Sequence, residues 1–186
     1  MSRAILNDTV HRANLDYYQH AWPKGNSMYW SMFTLGYAGL GNRSATNRFL
    51  SKSMDGFLWG PFKIWSEIKG GGGCPNFLTG AGIYLQSIWA GYVGLKYSDD
   101  SLQLRALGPP AGSEGVRVRG VSYAGARLMV TVSPSEARVS LMTAGPERLV
   151  ITIAGAAAVS LTTQGVSVPL GHDARIYQHI GVASVR

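Results

Sequence analysis

The 186-residue sequence is short of cysteine and of acidic residues, and both shortages exclude classes of protein. Cys74 is the only cysteine, so no internal disulfide can form, which excludes a disulfide-stapled fold. Only 10 residues are Asp or Glu against 17 Lys or Arg, which gives a formal net charge of +7. The basic residues stand singly along the chain and form no basic run or stripe of the kind that binds nucleic acid. We therefore expect no nucleic-acid partner.

Charge is also absent from residues 70–95, a segment that lies between Lys69 and Lys96. A membrane-spanning helix needs about 20 predominantly apolar residues. The first part of this segment is rich in glycine and contains Pro75 and Asn76, so we expect a helix buried within protein and regard a membrane partner as unlikely. The first residues contain no apolar run that resembles a signal peptide. Together with the single cysteine, this leans towards a cytoplasmic location but leaves the compartment unknown.

The first 98 residues carry the patterns of helices. Apolar residues recur every three or four positions over residues 8–22, which is typical of an amphipathic helix. A second helix is expected over residues 27–40 with Ser27 as its N-cap, and a third over residues 44–57. The second helix and a fourth, over residues 78–93, are apolar nearly all round, so both should be enclosed by other helices. Amphipathic helices thus alternate with helices that are apolar nearly all round, and this alternation is typical of stacked helical hairpins.

After residue 98 the pattern changes to short strands separated by turn residues. Strands are expected at residues 116–119, 128–132, 139–142, 149–153 and 159–161. Regular short strands with turns between them are typical of an antiparallel β-sandwich. The predicted fold class is therefore α+β. A helical domain is expected over residues 1–98, and a β-sheet domain that includes its linker is expected over residues 99–186.

The segment between Phe62 and Gly82 holds the candidate site. It contains Glu67, the only glutamate before Glu114, and a glycine-rich stretch that we expect to be a mobile loop. Trp65 is also expected in a loop, where an indole can stack on a sugar ring. A carboxylate beside an aromatic side chain can activate water as a general base. The alternative is that Glu67 is one surface acid among several.

Other chemistries have weaker signals. No Lys-Ser or Lys-Thr pair follows the glycines, which argues against a phosphate-binding loop. The histidines show no ligand spacing, so we expect no metal and no cofactor. Glycosidic cleavage needs a second carboxyl group as acid, roughly 6.5–9.5 Å from the base in inverting enzymes. Asp8, Asp16 and Asp55 are not obvious candidates by position, so the chain supplies half of a catalytic pair.

Several motifs resemble glycoside hydrolase family sixty-five. They are Asn14-Leu-Asp-Tyr-Tyr, Met28-Tyr-Trp-Ser-Met-Phe, Pro61-Phe-Lys-Ile-Trp-Ser-Glu, Asn76-Phe-Leu-Thr-Gly-Ala-Gly, and Leu85-Gln followed by Gly91-Tyr-Val-Gly-Leu. The resemblance implies the last helices of an (α/α)6 barrel, about four of them, followed by a C-terminal β domain. It also implies inverting hydrolysis of an α-glucoside, a carbohydrate substrate that for members of this type is the glucosyl-galactose unit on collagen hydroxylysine.

The same resemblance assigns roles to individual residues. Glu67 matches the family's water-activating base, and Trp65, Trp30, Asn76 and Thr79 fall in motif positions expected to contact substrate. The general acid of the family lies upstream of the matched region. We therefore expect a partial protein that is inactive alone. The alternative is a non-catalytic remnant that binds a glycan or a partner.

Overall fold

The structure is a computed structural model and describes residues 7–179. The chain divides into two compact units, with the division between Gly91 and Tyr92. In its described part, the first unit contains four α-helices and a three-stranded antiparallel sheet, and the second contains two antiparallel sheets. The α+β fold class predicted from the sequence is confirmed.

Asparagine side chains set the starts of three helices in the first unit. The four helices are α1 (Asp8–Ala21), α2 (Ser27–Gly39), α3 (Arg43–Met54) and α4 (Leu78–Gln86). The side-chain oxygens of Asn7, Asn26 and Asn42 accept hydrogen bonds from backbone N–H groups in the first turns of α1, α2 and α3. The predicted cap at Ser27 is wrong, because Asn26 occupies that position and the Ser27 hydroxyl donates to the Ser66 carbonyl oxygen at 3.3 Å.

The fourth helix differs from its prediction in two ways. It continues as a π-helical turn, Ser87–Tyr92, in which the Ser87 hydroxyl donates to the Ile83 carbonyl oxygen. Over the described residues the first part of the predicted helix is not enclosed, because Gly80 is the only buried residue of α4 and Leu78 and Leu85 are 80% and 62% exposed. Tyr92 and Val93, at the end of the predicted range, are fully buried. Of the helices within residues 7–179, none is long and apolar enough to cross a lipid bilayer.

A small sheet replaces the loop that the glycines predicted. Its antiparallel strands are β1 (Leu58–Trp59), β2 (Ile64–Ile68) and β3 (Gly72–Pro75). Gly70 and Gly71 turn the chain between β2 and β3 with φ angles of +79° and +88°, a left-handed conformation that glycine adopts without steric penalty. The glycine-rich stretch is therefore a hairpin, and the prediction of a loop here is wrong.

An aromatic core joins α2 to α3. The buried cluster consists of Trp30, Phe33, Tyr37, Ala45, Phe49 and Phe57. The Phe49 ring lies nearly parallel to the rings of Tyr37 and Trp30, with centroids 5.3 and 6.0 Å away. Trp65 of β2 packs against this cluster. The core therefore anchors β2, the strand that carries Glu67.

The second unit is built from nine strands in its described part. They are β4 (Leu95–Tyr97), β5 (Leu102–Leu104), β6 (Val116–Tyr123), β7 (Ala126–Val132), β8 (Glu136–Thr143), β9 (Leu149–Ile153), β10 (Val159–Ser160), β11 (Val166–Pro169) and β12 (Ala174–Gln178). One sheet has the order β10-β9-β12-β5-β4 and the other β11-β8-β7-β6. Alternate residues of β7 are buried, as expected for a strand with one face towards a core.

The strands predicted from alternation are confirmed as β6 to β10. Four strands, β4, β5, β11 and β12, were not predicted. Residues 98–101, expected to be a linker, form the turn between β4 and β5, where the Ser98 N–H donates to the Ser101 carbonyl oxygen at 2.9 Å. Strands β4 and β5 have only three residues each, which is too few to show a clear period of two.

Candidate active site

Glu67 lies on β2 and is half-buried. Its Oε2 atom accepts a hydrogen bond of 3.1 Å from the backbone N–H of Cys74 on β3. Within residues 7–179, its Oε1 atom accepts none. This hydrogen bond directs Oε2 towards the backbone of β3. The hairpin therefore holds one carboxylate oxygen and leaves the other for a ligand.

Gly73 makes room for this carboxylate. Its φ angle is +72°, and a Cβ atom at this position would lie 2.9 Å from both the Cβ and the Oε2 atoms of Glu67. Real Cβ atoms essentially never approach heavy atoms so closely. Glycine is thus required at position 73 both by the left-handed backbone and by the neighbouring Glu67 side chain.

Trp65 lies two residues before Glu67 on the same strand. Residues i and i+2 of a strand point to the same side, so the indole and the carboxylate share one side of β2. The prediction that Trp65 lies in a loop is wrong. Its ring contacts that of Tyr84 on α4, with centroids 4.9 Å apart. Its Nε1–H is buried and has no hydrogen-bond partner among the described residues.

The start of α4 packs against Trp65 through a close backbone approach. A Cβ atom on Gly80 would lie 3.2 Å from the Cδ1 atom of Trp65 and 2.7 Å from the Ser27 hydroxyl oxygen. The backbone N–H of Phe77 donates to the Trp65 carbonyl oxygen at 2.8 Å. Sequence reasoning missed Tyr84, although it lies four residues after Gly80 and therefore on the same face of α4.

The other predicted substrate contacts have different surroundings. Asn76 is exposed and has a φ angle of +57°, a left-handed conformation that asparagine tolerates, and it directs the chain from β3 into α4. Thr79 is exposed in the first turn of α4. Trp30 is only 2% exposed and belongs to the aromatic core, with the Lys52 Nζ atom 3.6 Å from its ring centroid. The structure gives Trp30 no exposed face for a ligand.

Two of the aspartates considered as acids have partners away from Glu67. Asp55 forms an ion pair with Lys69, whose Nζ atom lies 2.8 Å from Oδ2. The hydrogen bond from Lys69 and its positive charge hold the pKa of Asp55 below its ordinary value. Asp16 accepts a hydrogen bond of 2.8 Å from the Tyr37 hydroxyl. An acid catalyst must carry a proton, so the ion pair makes Asp55 unsuited to that role.

Comparison with known proteins shows that part of the chain is similar to a hydrolase and that its fold is similar to that of a phosphorylase. No protein-family model matches it. A kojibiose hydrolase of Mucilaginibacter mallensis is 30% identical over 121 residues, which are 64% of this chain and 18% of that protein. A solved structure described as a kojibiose phosphorylase from the human microbiome has a similar fold, with a TM-score of 0.60 and 16% identity over 88% of this chain and 21% of that one. The resemblance to glycoside hydrolase family sixty-five is confirmed.

Within that class the chain is similar to protein-glucosylgalactosylhydroxylysine glucosidase. It is 34% identical to the Danio rerio protein over 137 residues, which are 73% of this chain and 21% of the relative. It is 36% identical to the Mus musculus protein over 124 residues, which are 66% and 18% of the two chains. The chain thus spans about a fifth of the length of the curated relatives that it matches.

Proposed function

We propose that these residues form the C-terminal part of an inverting α-glucosidase that acts on glucosyl-galactosyl-hydroxylysine glycans, with Glu67 as its general base. The observation that carries the proposal is the Glu67 carboxylate held by the Cys74 N–H, on the strand that also carries Trp65. The substrate class rests on the relatives in Danio rerio and Mus musculus, whose name contains glucosylgalactosylhydroxylysine.

The geometry suits the activation of a water molecule. The hydrogen bond to Oε2 leaves Oε1 to accept a proton from water. The resulting hydroxide-like oxygen attacks the anomeric carbon on the face opposite the leaving sugar, while a second carboxyl group gives its proton to the leaving oxygen. The bond to the leaving oxygen breaks as the bond to water forms, so an α-glucoside yields β-glucose.

We place the second carboxyl group outside these 186 residues. Asp55 is ionised by its pair with Lys69, and Asp16 is the acceptor for Tyr37. The matched residues are only 21% and 18% of the curated relatives in Danio rerio and Mus musculus, so those proteins have ample further sequence to supply the acid. The chain alone is therefore proposed to be inactive, because protonation of the leaving oxygen contributes a large part of the rate.

We further propose that the helices are the last part of an (α/α)6 barrel and that the second unit is sandwich-like. Large apolar side chains of the helical unit are exposed, including Tyr17 at 67%, Leu78 at 80% and Leu85 at 62%. Among these, Leu78 and Leu85 are seven residues apart and lie on one face of α4, as expected for a helix that packs against a neighbour. Further helices of a toroid would cover these side chains and could supply the acceptor that the Nε1–H of Trp65 lacks among the described residues.

Asn76 and Thr79 are proposed to contact substrate, since both are exposed where β3 leads into α4. Trp65 is proposed to position the substrate from the side of β2 that it shares with Glu67. Trp30 can support the site only from the core, because its side chain is buried.

A chimera tests the proposal. The 186 residues replace the matching region of the Danio rerio glucosidase, and glucose release from a glucosyl-galactose disaccharide is measured. Glu67→Gln should lower kcat roughly 100-fold or more, since a general base contributes about 10²–10⁴-fold and an amide cannot accept the proton. Glu114→Gln, at an exposed glutamate of the second unit, is the matched control and should leave kcat unchanged.

The outcomes separate the two candidate functions. Full activity of the Glu67→Gln chimera would refute the assigned base. A folded but inactive wild-type chimera would contradict the glucosidase proposal and favour a non-catalytic module that binds a glycan or a partner. Circular dichroism establishes that each variant is folded.

A further inference from the structure

A polar cleft in the second unit is independent of Glu67. Its volume is about 630 Å³, within the range of roughly 300–1,000 Å³ that is usual for small-molecule sites. The lining side chains used below are Asp99, Asp100, Tyr123, Thr152, Arg175 and Tyr177. All of them belong to the unit that begins at Tyr92.

Strand register places part of the lining on one face of a sheet. Arg175 and Tyr177 are two residues apart on β12 and therefore point to the same side, opposite to the buried Ala174 and Ile176. Thr152 of β9 pairs with Arg175 across the sheet. These three side chains form a continuous polar and aromatic patch on the outer face.

The other part of the lining comes from a turn and from the second sheet. Asp99 and Asp100 lie in the turn between β4 and β5. Tyr123, the last residue of β6, is half-buried and donates a hydrogen bond of 3.2 Å from its hydroxyl to the Asp100 carbonyl oxygen. The cleft is thus built jointly by both sheets of the unit, and a hydrogen bond holds its rim.

The chemistry of the lining fits a neutral polyhydroxylated ligand. Tyrosine offers an apolar ring face that can cover the C–H groups of a sugar, and a hydroxyl that can bond to it. Carboxylates and guanidinium groups bond in a bidentate way and match neighbouring hydroxyl groups. Within residues 7–179, the Asp99 carboxylate, the Arg175 guanidinium and the Tyr177 hydroxyl make no hydrogen bond or ion pair with protein. Two carboxylates and one guanidinium leave one net negative charge, which disfavours an anionic ligand.

We propose that this cleft is a second saccharide site, which binds a neutral hexose unit without cleaving it. Tyr177 and Tyr123 cover the faces of the sugar ring. Arg175 and Asp99 bond to its hydroxyl groups. The site is independent of the proposed hydrolysis, since no residue of the helical unit takes part.

Binding is measured by calorimetry and by ligand-observed NMR on the full 186-residue chain. The probes are glucose, galactose and a glucosyl-galactose disaccharide, with glucuronate as the charged comparison. A neutral probe should bind with a Kd of about 1 mM or tighter. Tyr177→Ala should weaken binding by about tenfold or more, while Tyr177→Phe should retain most of the affinity because the ring stays.

Control variants make the result specific. Tyr17→Ala removes an exposed tyrosine of α1 and should leave binding unchanged. Glu67→Gln should also leave it unchanged, which separates this site from the proposed catalytic base. Arg175→Ala is a second test in case Tyr177→Ala is unfolded, because the Arg175 side chain is exposed and makes no hydrogen bond or ion pair with the described residues.

Four results would overturn the proposal. They are no saturable binding of any neutral probe, unchanged affinity in folded Tyr177→Ala and Arg175→Ala, tighter binding of glucuronate than of glucose, and loss of binding in Glu67→Gln.

Discussion

Replacing Gly73 by alanine should disturb Glu67 directly, and Gly70 provides the matched control. Both glycines have left-handed φ angles, +72° and +79°. Alanine in this region costs about 1–2 kcal/mol. A Cβ atom on Gly70 would meet nothing within 4 Å, whereas one on Gly73 would lie 2.9 Å from the Cβ and Oε2 atoms of Glu67. Backbone strain is therefore expected in both variants, whereas a steric clash with Glu67 is expected only in Gly73→Ala.

The clash has a calculable consequence. The Glu67 side chain must move, and its hydrogen bond from Cys74 is then lost. A hydrogen bond to a charged group contributes about 1.5–3 kcal/mol, which we reduce to about 1 kcal/mol because the carboxylate is only half-buried. Gly70→Ala should thus lower the free energy of unfolding by about 1–2 kcal/mol, and Gly73→Ala by about 1 kcal/mol more.

Two assays measure the difference. Urea denaturation of the 186-residue chain gives the free energies of unfolding. Hydrogen exchange reports the backbone N–H of Cys74, which should lose protection in Gly73→Ala and keep it in Gly70→Ala. Equal destabilisation together with an unchanged Cys74 amide would refute the reasoning, because the carboxylate would then not depend on the space that Gly73 leaves.

Three further results are expected. Phe49→Ala should lower the free energy of unfolding by about 3–5 kcal/mol in urea denaturation because Phe49 is 1% exposed, and Phe62→Ala, at 85% exposure, should stay within about 0.5 kcal/mol. Burial, helped by the hydrogen bond to Asp16, raises the pKa of Tyr37 from 10.0 to about 12. The protonated phenol therefore stabilises the fold fully below pH 10, and this contribution is lost as the pH rises towards 12, so Tyr37→Phe should flatten the pH dependence of stability there. Finally, the chain alone should release no glucose from kojibiose. Measurable turnover would contradict the proposal that the catalytic acid lies outside these 186 residues.

Local signals were enough to predict most of the helices and the longer strands. Apolar periodicity locates α1 to α3 to within a few residues, although the asparagine caps were not predicted, and alternation locates β6 to β9. The short strands β4 and β5 could not be predicted in this way, because three residues give too little alternation. In addition, β5 pairs with β12, which is distant in sequence.

The candidate site shows the same division between local and distant information. Glu67 is selected as a candidate from the sequence because acidic residues are scarce and because of the motif around it. The β2–β3 hairpin could not be foreseen, because four consecutive glycines have no side chains to show a strand pattern. The contact of Trp65 with Tyr84 and the hydrogen bond from Cys74 arise from tertiary packing and from an irregular register, in which Ser66 pairs with Pro75.

Chemical rescue of Glu67→Ala by azide is the sharpest test of the proposed base. The experiment uses the chimera and an α-glucosyl fluoride, whose leaving group needs little help from an acid. Without a base, water attacks slowly, but azide is already an anion and needs no proton removed. Azide should therefore restore turnover in Glu67→Ala and give a β-glucosyl azide by NMR. Rapid hydrolysis by Glu67→Ala without azide, or a product that keeps the α configuration, would contradict the role of Glu67.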